Sequence, residues 1–177
     1  MSVKRLDAKL DQKKIAKQHT ATYTTAPVPF LSDLPLTGFA AETESDLGFF
    51  VAMYEGMMAM KVPVILFLNG NIKVPSTFPS DVVIVRSRDA HYDEMWRACD
   101  MAFCLSEEAV DNALDAMVVP LAPKKMPRLQ NYDPNREKGN AFTFEKMNPW
   151  LMFAAMVRAC ETYRFPFDWK CIVRSRN

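Results

Sequence analysis

The sequence predicts an α/β domain built on a parallel sheet with helices on both faces. Three observations carry that expectation. Apolar, β-prone runs near residues 28–31, 63–68, 81–85, 101–105, 118–122 and 141–144 alternate with segments of helical spacing. The run Pro63–Leu68 (PVILFL) is apolar almost without a break, as in a strand covered on both faces. The 177 residues, 49% apolar and 24% charged, are enough for one domain with a real core. Residues 1–177 are therefore taken as a single domain, with 1–25 as an N-terminal helix and loop.

Each element has its own signal. Val3–Gln18 spaces Leu6, Leu10, Ile15 and Ala16 among lysines and reads as a surface helix. His19–Pro29, rich in Thr and Pro, reads as a loop leading into a strand at Val28–Leu31. Ser45–Met60 reads as a helix with Ser45 as cap and Asp46 at its positive end. Its apolar face is Leu47, Phe50, Val51, Tyr54, Met57 and Met58, and core packing is the preferred reading of those methionines. Asn69-Gly70-Asn71 ends the PVILFL strand in a turn. Asp81–Val85 is a strand, His91–Ala98 a short helix and Met101–Leu105 a strand ending at Ser106. Glu107–Ala116 is a helix with acids in its first turn. Gly139-Asn140 makes a turn into Ala141–Phe144. Asn148 caps a long helix with Pro149 at its first position. Pro166 stops that helix, and Trp169 leads a second short one.

Composition excludes several functions. The net charge of +1 gives no global pull toward nucleic acid. Charge is uneven along the chain: residues 1–17 carry +4, 18–60 carry −5, 61–120 carry −4 and 121–177 carry +6. No apolar run is long enough to span a membrane, and Met1–Gln18 has no apolar core segment of a signal peptide. A cytoplasmic location is the expectation. Cys99, Cys104, Cys160 and Cys171 show no CxxC spacing and read as free thiols. His19 and His91 are the only histidines and sit in no ligand-like cluster, so neither a metal nor a cofactor is expected.

The stretch Gly139–Trp169 resembles the C-terminal end of bacterial glycogen synthases and plant starch synthases. There a "GTGF-x-F" turn precedes a helix reading "AL-x-x-A-x-x-RA-x-x-x-Y" and then a Trp. The matching residues are Gly139, Phe142, Phe144, Ala154, Arg158, Ala159, Tyr163 and Trp169. The family's "Y-AGAD-MFLMPS" resembles Tyr92 through Ser106, where Asp100, Met101, Phe103 and Ser106 line up. Lys9 and Gln12 fall where the family's "NK-x-x-LQ" helix has its own, and "NYDP" is similar to its return loop. The resemblance implies a Rossmann-like domain, the donor-binding C-terminal half of a GT-B glycosyltransferase. In the family that half binds a sugar nucleotide, usually ADP-glucose, and a separate N-terminal half binds the acceptor glucan.

The chemistry residues depart from that pattern. The family's first strand ends in "SRL-x-x-QKG", whose Arg and Lys hold the phosphates. On the Val28–Leu31 strand, Ser32 and Leu34 match but Asp33 stands in place of the Arg, and Thr37-Gly38 or Glu44-Ser45 in place of Lys-Gly. No Lys or Arg occurs from Gln18 to Met60, and a diphosphate needs cations or convergent donors. Between Ser106 and Pro120 the chain is shorter than the family's by about two helical turns at ~3.6 residues each. The Glu-Pro-Cys-Gly-Leu loop, whose glutamate contacts the donor sugar, is what is missing. Glu107 or Glu108 replaces that glutamate, or both are simply first-turn acids; the second reading is preferred. No glycine lies between Gly70 and Gly139 to let backbone approach a phosphate. Lys124, Lys125 and Arg128 are the only clustered candidates for an anion. Tyr132 and Trp150 are candidates for stacking on a glucan, with packing as the alternative for each, as also for Trp169.

The expectation is a degenerate synthase-like domain, not an enzyme by itself, used for binding, regulation or assembly. The alternatives are a transferase completed by a partner chain, and an α-glucan-binding module. The expected partner is another protein chain or an α-glucan, not a nucleotide sugar, a nucleic acid or a membrane.

Overall fold

The structure, a computed structural model, describes residues 15–16, 33–80 and 82–175. A six-stranded, all-parallel sheet runs in the order β3-β2-β1-β4-β5-β6. The strands are β1 (Thr37–Ala41), β2 (Val64–Leu68), β3 (Val83–Arg86), β4 (Met101–Phe103), β5 (Val119–Pro123) and β6 (Phe142–Phe144). The helices are α1 (Glu44–Ala59), α2 (Tyr92–Ala98), α3 (Glu107–Ala116), α4 (Pro149–Tyr163) and α5 (Pro166–Arg174). This is the doubly wound α/β architecture the sequence predicts. Strand order reverses between β1 and β4, which are in register at Thr37↔Met101.

The first strand differs from expectation. The predicted strand at 28–31 and most of the predicted helix at 3–18 lie outside the described residues; Ile15 and Ala16 are helical. The first described strand is Thr37-Gly38-Phe39-Ala40-Ala41, to which the sequence pattern assigns no element. Small residues are required there because the strand sits at the centre of the sheet. A Cβ on Gly38 would meet Ala102 Cβ at 3.2 Å, Cys99 Sγ at 3.3 Å and Phe67 Cε2 at 3.3 Å. Two helix starts also differ. α1 is capped by Thr43, not Ser45, and α5 begins at Pro166 itself, three residues before Trp169. α3 and α4 begin as predicted, on the caps Ser106 and Asn148.

The pleat sorts side chains by size. Phe39, Leu66, Leu68, Met101, Phe103, Leu121, Phe142 and Phe144 point to one face and bury against Phe50, Met53 and Met57 of α1 and Met152, Ala155 and Met156 of α4. Ala40, Ala102, Cys104 and Ala122 point to the other, with Ile65 and Phe67, under Met95 and Trp96 of α2 and Ala109, Ala113 and Leu114 of α3. The first face is thick and aromatic, the second thin. α1 and α4 meet closely because Gly56 has no side chain: a Cβ there would lie 2.7 Å from Phe153 Cε2.

Two polar clamps and one aromatic one tie the layers together. The buried Asp100 carboxylate accepts the Leu36 N–H at 2.9 Å and the Tyr163 hydroxyl at 3.3 Å, joining β1, β4 and α4. Arg158 on α4 donates to the Thr143 carbonyl at 2.7 Å, while Asn131 Oδ1 accepts the Thr143 N–H at 2.9 Å. The outward backbone groups of edge strand β6 are thereby satisfied by side chains. Trp169 stacks on Phe142 and meets Tyr163 edge-on, fixing α5 to the sheet.

Candidate functional site

In an open α/β sheet, ligands bind outside the carboxyl ends of the strands where strand order reverses. Here that crevice lies between the β1–α1 loop and the β4–α3 loop. The helix N-termini that border it would each present free N–H donors and a positive dipole end to an anion.

Both N-termini carry a side-chain cap from within. At α1 a capping box closes: Asp46 N–H donates to Thr43 Oγ1 at 3.2 Å, and Asp46 Oδ2 accepts the N–H groups of Thr43 at 2.9 Å and Glu42 at 3.1 Å. At α3 the Ser106 hydroxyl accepts the Ala109 N–H at 3.1 Å and donates across the crevice to Glu42 Oε1. Glu42 and Ser106 thus bridge the two loops. Glu42, Glu44 and Asp46 stand on one side, and Glu107 and Glu108 on the other. With β1 at Thr37–Ala41, Glu42 is the residue that follows the first described strand. The sequence reading missed Glu42 and Asp46 as crevice residues; the Thr43-x-x-Asp46 spacing was the available signal.

Glu107 and Glu108 are exposed in the first turn of α3, which is the helix-start reading. Lys124, Lys125 and Arg128 do follow β5 together on the surface. Lys124 pairs with Glu145 at 2.8 Å and Arg128 with Asp111, so both cations have carboxylate partners. Tyr132 is corrected as a stacking platform. It is only 4% exposed, packs on Phe142 and donates its hydroxyl to Asp168; burial raises its pKa. Trp150 is 80% exposed at the start of α4.

Two hollows lie beside the crevice and along the helices. A cleft of about 220 Å³ between α2 and α3 is lined by Asn69, Tyr92, Trp96, Arg97, Asn112 and Asp115. Its Tyr92 hydroxyl donates to Asn69 Oδ1 at 2.9 Å, and burial pushes that phenol up to about 12. The Trp96 indole N–H is buried without an acceptor among the described residues. A groove of about 350 Å³ between α1 and α4 is lined by Ala52, Met53, Glu55, Gly56, Pro149, Trp150 and Phe153. No group of His, Cys, Asp and Glu among the described residues converges on a metal position, and none of their helices is long and apolar enough to cross a membrane. The four cysteines are free; burial pushes the Cys160 thiol up to about 12 and raises Cys104, which disfavours thiolate chemistry.

No protein-family model and no curated protein matches this sequence. Among solved structures, the chain superposes on the catalytic domain of starch synthase IV from Arabidopsis thaliana bound to ADP and acarbose. The TM-score is 0.70 at 14% identity, over 90% of this chain and 38% of that one. It also aligns with the glycosyltransferase SnogD from Streptomyces nogalater, at a TM-score of 0.48 and 13% identity over 86% of this chain and 42% of that one. The similarity to the synthase establishes a fold like that of a GT-B glycosyltransferase half, and the chain spans well under half of that structure's length.

Proposed function

We propose that this chain is a donor-half-type glycosyltransferase domain that carries out no transfer and serves as a binding or assembly module. One observation carries the reading: at the strand-order reversal the two loops are bridged by the Ser106–Glu42 hydrogen bond, and the helices that follow them open on acids, Glu44 and Asp46 on α1 and Glu107 and Glu108 on α3. A diphosphate brought there meets acids where it needs cations, and one N–H at each helix start, of Asp46 and of Ala109, is already bonded to the caps Thr43 and Ser106. Lys124 and Arg128 lie beyond β5, and a phosphate there would compete with Glu145 and Asp111.

Calorimetric titration with ADP-glucose, UDP-glucose and ADP is the test, and no saturable heat is the expected result. Saturable sugar-nucleotide binding, lost when Lys124, Lys125 and Arg128 are replaced by alanine, would overturn the proposal. It would restore the reading of a transferase completed by a partner chain. The α-glucan-binding alternative keeps one supporting residue, Trp150, since Tyr132 is buried. Maltoheptaose titrated in the same experiment checks it.

A further inference from the structure

α1 is apolar almost all the way round. Leu47, Phe50, Met53 and Met57 are buried against the sheet, yet Val51, Ala52, Met58 and Ala59 on the opposite side are apolar too and exposed. A helix that is apolar on every side is normally covered on every side. Val51, Glu55 and Met58 follow one another at i, i+4 and i+7, so they form one outer stripe. That stripe continues into the α1–α4 groove through Ala52 and Glu55, where Phe153 and the 80% exposed Trp150 form the opposite wall. Met147 and Leu151, both 40% exposed, extend the surface around Trp150.

The lining also says what fits. Among the described residues that line the groove, Glu55 is the one charged residue, and it shares the lining with Trp150 and Phe153. A cationic side chain laid on an indole face beside a carboxylate gains from both, and an apolar stem on either side fits Val51 and Met58. We propose that the α1–α4 face is a docking surface for another polypeptide, an apolar helical segment that places one Lys or Arg in the groove against Trp150 and Glu55. A second copy of this chain fits less well, because the groove residues of this face include no Lys or Arg to set against Glu55. The docking role is independent of whether the crevice at the strand ends binds a nucleotide.

The test uses the full chain and three synthetic helical peptides. Each has leucines at i, i+3, i+4 and i+7, with arginine, norleucine or glutamate at one position between them. Expected is that the arginine peptide binds and shifts the Trp150 indole resonance, which Trp150→Phe identifies. Affinity should fall on the order of tenfold in Glu55→Gln and in Trp150→Ala, and for the norleucine peptide, with no binding of the glutamate peptide. Glu55 and Trp150 are exposed, so both variants keep the fold. Three outcomes overturn the proposal. The peptides bind alike or leave the Trp150 resonance unmoved; maltoheptaose moves that resonance where the arginine peptide does not; or sedimentation shows a dimer that Trp150→Ala dissolves. Nucleotide binding at the crevice would leave all of these readouts unchanged.

Discussion

Between Asp100 and Trp169, polar and aromatic side chains reach across the molecule to hold it together. Between Glu42 and Asp46 they sit at the mouth of the sheet, where Thr43 and Asp46 cap α1 and Glu42 bonds the cap of α3, Ser106. Asp100 joins three elements, Arg158 closes the edge of β6, and Trp169 pins α5 through Phe142 and Tyr163. These are the same residues on which the likeness to starch and glycogen synthases rests. The crevice loops and the helix starts beyond them carry the acids Glu42, Glu44, Asp46, Glu107 and Glu108. The difference teaches that the shared residues are those the architecture needs, which makes the likeness one of fold.

If that division is right, damage to the first group unfolds the protein. The largest effect is expected at Gly139→Ala. Gly139 has φ 121°, and a Cβ there would lie 2.5 Å from Tyr132 Cα and 2.6 Å from the Asn131 carbonyl oxygen. Strain and a backbone clash together cost on the order of 4 kcal/mol. Urea denaturation measures it, and a loss under 1 kcal/mol would show that the turn can shift. Asp100→Ala comes next. It leaves the Leu36 N–H and the Tyr163 hydroxyl without this acceptor in the interior and costs about 3 kcal/mol. A variant as stable as the parent would remove Asp100 from the list of clamps.

The pattern of legibility follows the same division. Long elements with strong caps or continuous apolar runs were readable: the PVILFL strand, α3 from Ser106, and α4 from Asn148-Pro149. β1 was not, because Thr-Gly-Phe-Ala-Ala has little β preference of its own; it is a strand because Ala102, Cys99 and Phe67 crowd it on a central position. Without that strand, Glu42 could not be read as a crevice residue. The burial of Tyr132 depends on Phe142 and Asp168, residues 10 and 36 positions away, and periodicity cannot report such contacts. First-turn acids on α3 were readable because a helix dipole acts locally.

Two intermediate effects sharpen the comparison. Arg158→Met keeps the stem that packs along α4 and removes the guanidinium that bonds the Thr143 carbonyl. A loss of about 1.5 kcal/mol is expected, together with concentration-dependent association through the freed β6 edge. Light scattering and denaturation read the two parts separately; neither change appearing would make the cap ornamental. The second effect is one of pH. Burial pushes Tyr92 up to about 12, above the value near 10 of an unfolded tyrosine. The folded state therefore holds this proton more tightly. Its contribution is complete below pH 10 and is lost as pH rises through 12. Denaturation midpoints between pH 9 and 11.5 should fall, and fall less in Tyr92→Phe. An identical slope in both would assign the alkaline loss to other groups.

The smallest effect is expected at Trp150→Ala, and its smallness is the point. Trp150 lies in the same C-terminal stretch as Trp169, and the sequence offers packing as a reading for both. Trp169 packs against two rings, whereas Trp150 is 80% exposed. The start of α4 does not need its indole, because Asn148 Oδ1 accepts the backbone N–H groups of residues 150 and 151, which alanine retains. Stability should change by less than about 0.5 kcal/mol. A drop of 2 kcal/mol would mean that the indole packs on α1 as part of the core, and the groove would lose its claim as a docking surface. An unchanged midpoint leaves a large aromatic surface that the fold does not use, which is what a residue held for a partner requires.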